Sequence, residues 1–502
     1  MNLIILFLYF ILVLIGVINH EMWRDELEAW LISVHSSSIG ELLQNIKYEC
    51  HPPLLYFFLY IIGKFTHNPV GMQYFHLFVA CSVIYVFLKW APFTRLQKIL
   101  FCFGYFPFYE YGVISRNYSL GLLFLFISCI LFKPKEKNYI LLSLVLLLLA
   151  SAHVYAMFIA VSFEIMLILD YFITNKNNLT FKIKSLLLSL IIFVLGIILL
   201  FMQLSLPEDC FYNIKWLTHF DFYTLLITLG TIWKGYFAIP ALTYNFCDTN
   251  ILNMTNNLWL FVGLSSFFGF LILLFSLFLF TKQKTVLFLY ITSNILILLF
   301  SYMRFYGSLR HHGSLFILFV VCLWISTYYE KPNKLKNIFF NILLFCHLFY
   351  GAYAYTIDLF NPFSESKAAS EYIKKNHLDN LTIIGSDDYR VSPITAYLGK
   401  RIFYPKTNRY GTFVKWDKKA GLPTQLQNIF QKAIEMINQK KENLLLVLSD
   451  ELIVYRDKKP FVLDVSYLMQ DVRISKIAEF SKSIRKDENY YIYLIELVNK
   501  TN

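Results

Sequence analysis

Residues 2–28 read NLIILFLYFILVLIGVINHEMWRDELE. No charge falls within 2–18, and then Glu21, Arg24, Asp25, Glu26 and Glu28 arrive together. About 20 apolar residues cross the hydrocarbon core of a bilayer. The run therefore has the length of a transmembrane helix, and the charged group stands at the surface just beyond it. A cleaved signal peptide is the competing reading. A retained anchor is favoured, because no basic region precedes the run and no small-x-small cleavage site precedes His20.

Similar runs recur along the chain. Further spans are expected near 70–88, 97–111, 114–132, 139–152, 153–172, 181–203, 257–281, 284–302, 313–329 and 337–357. The expectation is an all-α polytopic membrane domain over 1–361, with about eleven transmembrane helices. Composition agrees. Of 502 residues, 57% are hydrophobic and 16% charged, where soluble domains carry about 25% charged residues. A formal charge of +12 would suit nucleic acid in a soluble protein. Here the basic residues sit in short loops between apolar runs, so no nucleic-acid partner is expected.

Those loops set the orientation. Lys89, Arg95 and Lys98; Lys133, Lys135 and Lys137; Lys176, Lys182 and Lys184; Lys282 and Lys284; and Lys331, Lys334 and Lys336 fall in alternate loops, which should be cytoplasmic. Segment 19–51 carries six acidic residues (Glu21, Asp25, Glu26, Glu28, Glu41, Glu49) against Arg24 and Lys47, and belongs outside. The chain thus reads as a multi-pass protein of the plasma (inner) membrane with its N-terminus cytoplasmic. Stretch 52–66 is apolar but short, and is expected as a helix in the outer interface. Segment 204–256 is expected as an outer loop whose aromatic part, Trp216 to Tyr236, lies along the surface.

Residues 362–502 are expected to form a separate extracytoplasmic α/β domain. Charge density rises there. Ser366–Asn376 and Gln425–Gln439 read as helices, and Leu381–Gly385 and Leu444–Leu448 as short buried strands. Of the eight cysteines, Cys50, Cys210 and Cys247 are expected outside, where a disulfide can form. There is no CxxC, no zinc spacing, no Walker-type loop and no GxGxxG.

Four groups do not fit a pure anchor. The first is Trp23-Arg24-Asp25-Glu26-Leu27-Glu28. The second is His51-Pro52-Pro53-Leu54. The third joins Glu110 to Arg116 and Tyr118, and the fourth is Arg304 with Arg310, His311 and His312. Ionisable residues at membrane edges are functional candidates. Each group also has a plain structural reading: a solvated acidic loop that sets topology, a helix start, a Glu110–Arg116 ion pair, and interfacial anchoring of the late arginines.

Taken together, and in this order, Trp23-x-Asp25-Glu26, His-Pro-Pro-Leu and Arg116-x-Tyr118 resemble the GT-C superfamily of membrane glycosyltransferases. That superfamily includes protein O-mannosyltransferase-like and aminoarabinose-transferase-like proteins. The resemblance covers residues 1–170 and implies a hexosyltransferase that moves a sugar from a polyprenyl-phosphate donor to a lipid, glycan or protein acceptor on the outer face. It implies Asp25 as catalytic base, with Glu26 beside it and Glu110 in support. Glu110 departs from the family pattern, in which the second acid lies nearer the Arg. His51, Arg116, Tyr118, Arg310 and His311 are the substrate-binding candidates. The chemistry is consistent: an acceptor hydroxyl must lose a proton, and the departing phosphate needs fixed positive charge, which Arg supplies bidentately. Asp25 and Glu26 side by side are also the candidate holders of a divalent metal. The alternatives are a lipid-linked oligosaccharide flippase or other transporter, and an O-antigen ligase- or polymerase-like enzyme built around Arg310 and His311.

Overall fold

The computed structural model describes residues 2–133, 137–174, 182–213, 216–255, 257–331, 333–421, 426–456, 459–462, 466–469 and 472–497. Lys135, Lys176, Phe181 and Gln425 of the sequence reading lie outside the described residues.

Helix α1 (Asn2–Asn19) leads into three short helices, α2 (Arg24–His35), α3 (Ile39–Ile46) and α4 (Leu54–Gly63). There follow α5 (Val70–Trp90), α6 (Arg95–Cys102), a π turn (Tyr105–Glu110), α7 (Tyr118–Leu131), α8 (Tyr139–Ala150), α9 (Val154–Thr174) and α10 (Ile183–Leu204). The bundle is completed by α11 (Phe222–Tyr236), α12 (Leu258–Phe280), α13 (Lys284–Met303), α14 (Leu309–Ser326) and α15 (Lys334–Phe360). Among the described residues eight helices, α1, α5, α9, α10 and α12 to α15, are long and apolar enough to cross a membrane. This is a multi-pass membrane protein. Helices α4, α7 and α8 are apolar but shorter.

The bundle is organised around α14. The most apolar stretch of α14 is 89% buried, against 22% for α10, so α14 is central and α10 presents its apolar surface outward, as a lipid-facing helix does. At the end of the bundle away from α2, buried polar pairs tie helices together. Lys137 pairs with Asp170, which also accepts from the Tyr329 hydroxyl at 2.6 Å. Lys336 donates to Gln283 at 3.1 Å and to Glu330 at 2.9 Å.

Three expectations are corrected. Residues 97–111 are not one continuous helix. The helix stops at Cys102, and the backbone is extended at Gly104, which packs so closely that a Cβ would lie 3.2 Å from His347 and from the Leu100 carbonyl. Pro107, which has no N–H to donate, then sits in the π turn, and its carbonyl accepts from the buried Tyr9 hydroxyl at 2.7 Å. Helix α14 starts at Leu309 rather than 313, which brings Arg310, His311 and His312 into its first turn. The aromatic stretch after Trp216 does not simply lie along a surface. Tyr223 meets Trp259, Gly230 meets Ser265 and Trp233 meets Phe268, so α11 runs lengthwise beside α12 and in the same direction. Glycines permit this approach: a Cβ on Gly269 would lie 2.2 Å from the Leu229 carbonyl oxygen, and one on Gly235 2.4 Å from that of His312.

Beyond α15 lie α16 (Ser366–Lys375), β1 (Thr382–Gly385), α17 (Asp388–Leu398), β2 (Ile402–Tyr404), β3 (Arg409–Gly411), α18 (Leu426–Lys440) and β4 (Leu444–Leu448). They are followed by β5 (Ile453–Arg456), β6 (Lys459–Val462), β7 (Ser466–Met469), β8 (Val472–Phe480) and β9 (Tyr490–Leu497). Seven strands form one sheet in the order β3-β2-β1-β4-β9-β8-β7; β1 is parallel to β2 and β4, and the remaining pairs are antiparallel. All five residues of β4 are buried, as expected of a short apolar strand inside an α/β layer. The sheet unit docks on α2. Arg24 reaches Asp487 at 2.5 Å, and the Glu28 carboxylate accepts from the Val414 N–H at 2.7 Å.

Candidate functional site

A cavity of about 610 Å³ opens where the first turns of α2 and α14 meet the sheet unit. Its wall includes Asp25, His51, Arg116, Tyr118, Arg310 and His311, together with His153 and Tyr155 at the start of α9. Residues from five separate stretches of the sequence thus share one pocket.

Local structure explains each placement. Trp23 is the extended N-cap of α2, and the carboxylate of Glu26 accepts its N–H at 3.3 Å in a capping-box geometry. Asp25 therefore falls in the first helical turn, where the peptide dipoles favour a negative charge. In α14 the Ser308 N–H donates to Nδ1 of His311 at 2.9 Å. That bond leaves the imidazole proton on Nε2. Tyr118, opening α7, stacks on Tyr111 with ring centres 5.1 Å apart, and meets His311 edge-on at 5.8 Å.

The cavity is rich in guanidinium groups. Arg310 donates to Oδ2 of Asp25 at 2.7 Å, and Arg24 lies 3.8 Å from Oδ1. Arg116 donates to the backbone carbonyl of Asp25, and its other nitrogen lies 3.5 Å from Nε2 of His51. Arg24, Arg310 and Arg485 all lie over the Trp23 ring, within 5.6 Å of its centre, a cation–π arrangement. Burial by itself would raise the Asp25 carboxyl. The surrounding Arg310, Arg116, Arg24 and Arg485 outweigh it and hold the group well below the usual carboxylate range. Burial, then Arg116, lowers the His51 imidazole to about 4, so it is neutral.

Two expected acids are elsewhere. Glu26 is fully buried and is absent from the cavity wall. Its carboxylate accepts from the Ser115 N–H at 2.6 Å and from His20 at 2.9 Å, and His20 in turn meets Asp358 at 2.7 Å. Consecutive helical residues point about 100° apart, which is why Glu26 faces the bundle while Asp25 faces the cavity. Glu110 is also off the wall. It accepts from the Tyr105 hydroxyl at 2.5 Å and does not pair with Arg116. Asp25 and Glu26 therefore do not share a face on which to hold one cation. Among the described residues no three His, Cys, Asp or Glu side chains converge as a metal cluster. All eight cysteines are free thiols, so Cys50, Cys210 and Cys247 form no disulfide.

The structure adds residues to which the sequence reading gave no role in the site. Glu49 lines the cavity on the loop after α3, as does Glu28 on α2. Both oxygens of Glu28 are engaged, one by the Val414 N–H and the other by the Ser392 hydroxyl at 3.4 Å. Tyr389, Val414, Trp416 and Arg485 reach the wall from the sheet unit. No local pattern marks them, because docking alone brings them in. The charge of Glu49 was the available signal and was counted only toward topology, whereas Glu28 stood in the first candidate group without a role of its own. A scan of protein-family models and a search of curated proteins find no match to this chain.

Proposed function

We propose that this chain is a hexosyltransferase that moves a sugar from a polyprenyl-phosphate donor to an acceptor hydroxyl within this cavity. The supporting observation is the convergence of Arg24, Arg116, Arg304, Arg310 and Arg485 with a carboxylate on one pocket at the end of an apolar bundle. A polyprenyl tail partitions into the bilayer, so its phosphate must be received at a membrane edge. Guanidiniums match phosphate in charge and in fork geometry. In the transfer, the departing phosphate is met by Arg310 and Arg116, and a carboxylate of the 19–51 segment takes the hydroxyl proton. The resemblance of the Trp-x-Asp-Glu motif gives that last role to Asp25. His51, Tyr118 and His311 line the same space and contact donor or acceptor. The acceptor is a lipid, a glycan or a protein.

The cavity is placed on the outer face, with the N-terminus in the cytoplasm. The acidic α1–α2 junction and the lysine-bearing loops lie at opposite ends of the bundle, which supports this orientation. In this reading the chain crosses about eleven times, with α7, α8 and the broken α6–π segment as short passes. Membranes containing the protein should transfer radiolabel from polyprenyl-phosphate hexoses to endogenous acceptors. Radiolabelled lipid that changes leaflet without transfer would instead indicate a flippase.

A further inference from the structure

Three acidic side chains line the cavity, and they are not equivalent. Asp25 is ion-paired to Arg310, with three more guanidiniums around it. Glu28 has hydrogen bonds to both oxygens. Glu49 differs from both: its Oε1 is buried without a hydrogen-bond partner among the described residues. The backbone holds it in place. Cys50 next to it adopts the left-handed conformation at φ 57°, which non-glycine residues take only when the surroundings impose it. On its other side, the Tyr48 hydroxyl donates to Asp209 at 2.9 Å. The residue as a whole is half-buried; a carboxylate oxygen buried without a partner costs stability, and such groups cluster where chemistry is done.

We propose that Glu49 is the proton acceptor of the site, and that Asp25 remains bound to the arginines as a fixed anion. The proposal rests on the transfer reading above. As the acceptor oxygen attacks the anomeric carbon, the carbon–oxygen bond to phosphate breaks and its electron pair leaves on the phosphate. The hydroxyl proton passes to Glu49 and then to solvent. A carboxylate clamped by four cations is a weak proton acceptor, whereas a base titrating near the working pH is effective. Burial raises the Glu49 carboxyl to about 8, with Arg116 opposing and Asp25 adding to the shift. The other titratable groups facing it are Glu28 on α2, Tyr56 on α4, Cys50 beside it, and Cys210 and Tyr212 in the loop after α10.

The test compares full-length wild type, Glu49→Gln and Glu49→Asp in detergent, using radiolabelled polyprenyl-phosphate hexoses and membrane acceptors. Glu49→Gln should lower turnover about 100-fold or more, with KM for the donor held within about threefold. Glu49→Asp should recover part of the loss. Wild-type turnover should rise with pH to about 8 and then level, while that of Glu49→Gln should be flat. Infrared titration of the purified protein, which needs no substrate, should show a protonated-carboxyl band whose intensity falls through the same pH range, with a component that is missing in Glu49→Gln; Glu28, Glu21 and Glu488, also raised by burial, account for the remainder. An active wild type with equally active Glu49→Gln, or the absence of that component, overturns the role of Glu49 alone. A wild type that transfers from no donor overturns the transfer reading, and this inference with it.

Discussion

Nη2 of Arg310 lies 2.7 Å from Oδ2 of Asp25, joining the first turn of α14 to the first turn of α2 across the cavity. The dipole at a helix N-terminus favours the aspartate and disfavours the arginine, so Arg310 sits where only a nearby anion makes it comfortable. Asp25 is that anion, and in the proposed transfer a donor phosphate takes its place.

Replacing Arg310 therefore tests phosphate binding. Arg310→Ala should weaken donor use about tenfold to a hundredfold, the scale of one charge-assisted hydrogen bond. Arg310→Lys should fall between, because it keeps the charge and loses the fork. Thermal stability should change little, since Arg116, Arg24 and Arg485 still surround Asp25. Equal losses of stability and transfer would make the pair structural. Asp25→Asn should also lower transfer and move the pH profile to lower pH, because the Asp25 charge adds to the Glu49 shift, whereas the profile of Glu49→Gln should be flat.

Glu26 and His20 should behave as structural residues. Burial opposes a charge on His20, but Asp358 and Glu26 outweigh it and hold the imidazole protonated well above its ordinary range. Such a group contributes stability that is complete below its unfolded pKa and lost as pH rises through the folded one. Thermal unfolding in detergent should be steady below the ordinary histidine range and then decline on the alkaline side. His20→Ala should cost about 3–5 kcal/mol, because it leaves buried carboxylates unpaired. Glu26→Gln should lower stability but not the turnover of the molecules that remain folded. A turnover loss at normal stability would return Glu26 to the catalytic set.

Glu49 should show the opposite balance of stability and activity. Its ordinary value is 4.5, and in the fold it is raised to about 8. Between these values the unfolded chain gives up its proton first, so stability falls as pH rises. Glu49→Gln removes that penalty. It should melt higher than wild type at pH 8 and converge with it near pH 4.5. Glu28, raised by burial and then by Glu49, leaves a residual slope of the same sign.

Topology is tested by a reporter fused after Asn376, which should be active only on the outer face. Cytoplasmic activity there would invert every loop and put the cavity on the wrong side for an outer-face acceptor.

Much of this arrangement was legible in the sequence, for reasons that differ by element. The apolar runs that became α1, α5, α9, α10, α12, α13 and α15 are long and uninterrupted, so their bounds follow closely from hydropathy. Strand β4 coincides with the expected Leu444–Leu448. His51, Arg116, Tyr118 and Arg310 do converge, because all flank helix ends at the same side of the bundle. The break at Gly104 was not legible: the glycine there packs against His347, far away in α15. Neither was the division of labour between Asp25 and Glu26, which depends on where α2 begins. Arg485 carries no motif at all, and reaches the cavity only because β8 and β9 place their connecting loop over Trp23.

That last contact sets a timetable. Arg24 emerges early in synthesis, yet its partner Asp487 and the neighbouring Arg485 follow only after the whole bundle has been made. Until then the pocket lacks the wall that Tyr389, Val414, Trp416 and Arg485 supply. A chain cut short before Arg485 would therefore carry the bundle's share of the pocket without the wall that Arg485 supplies.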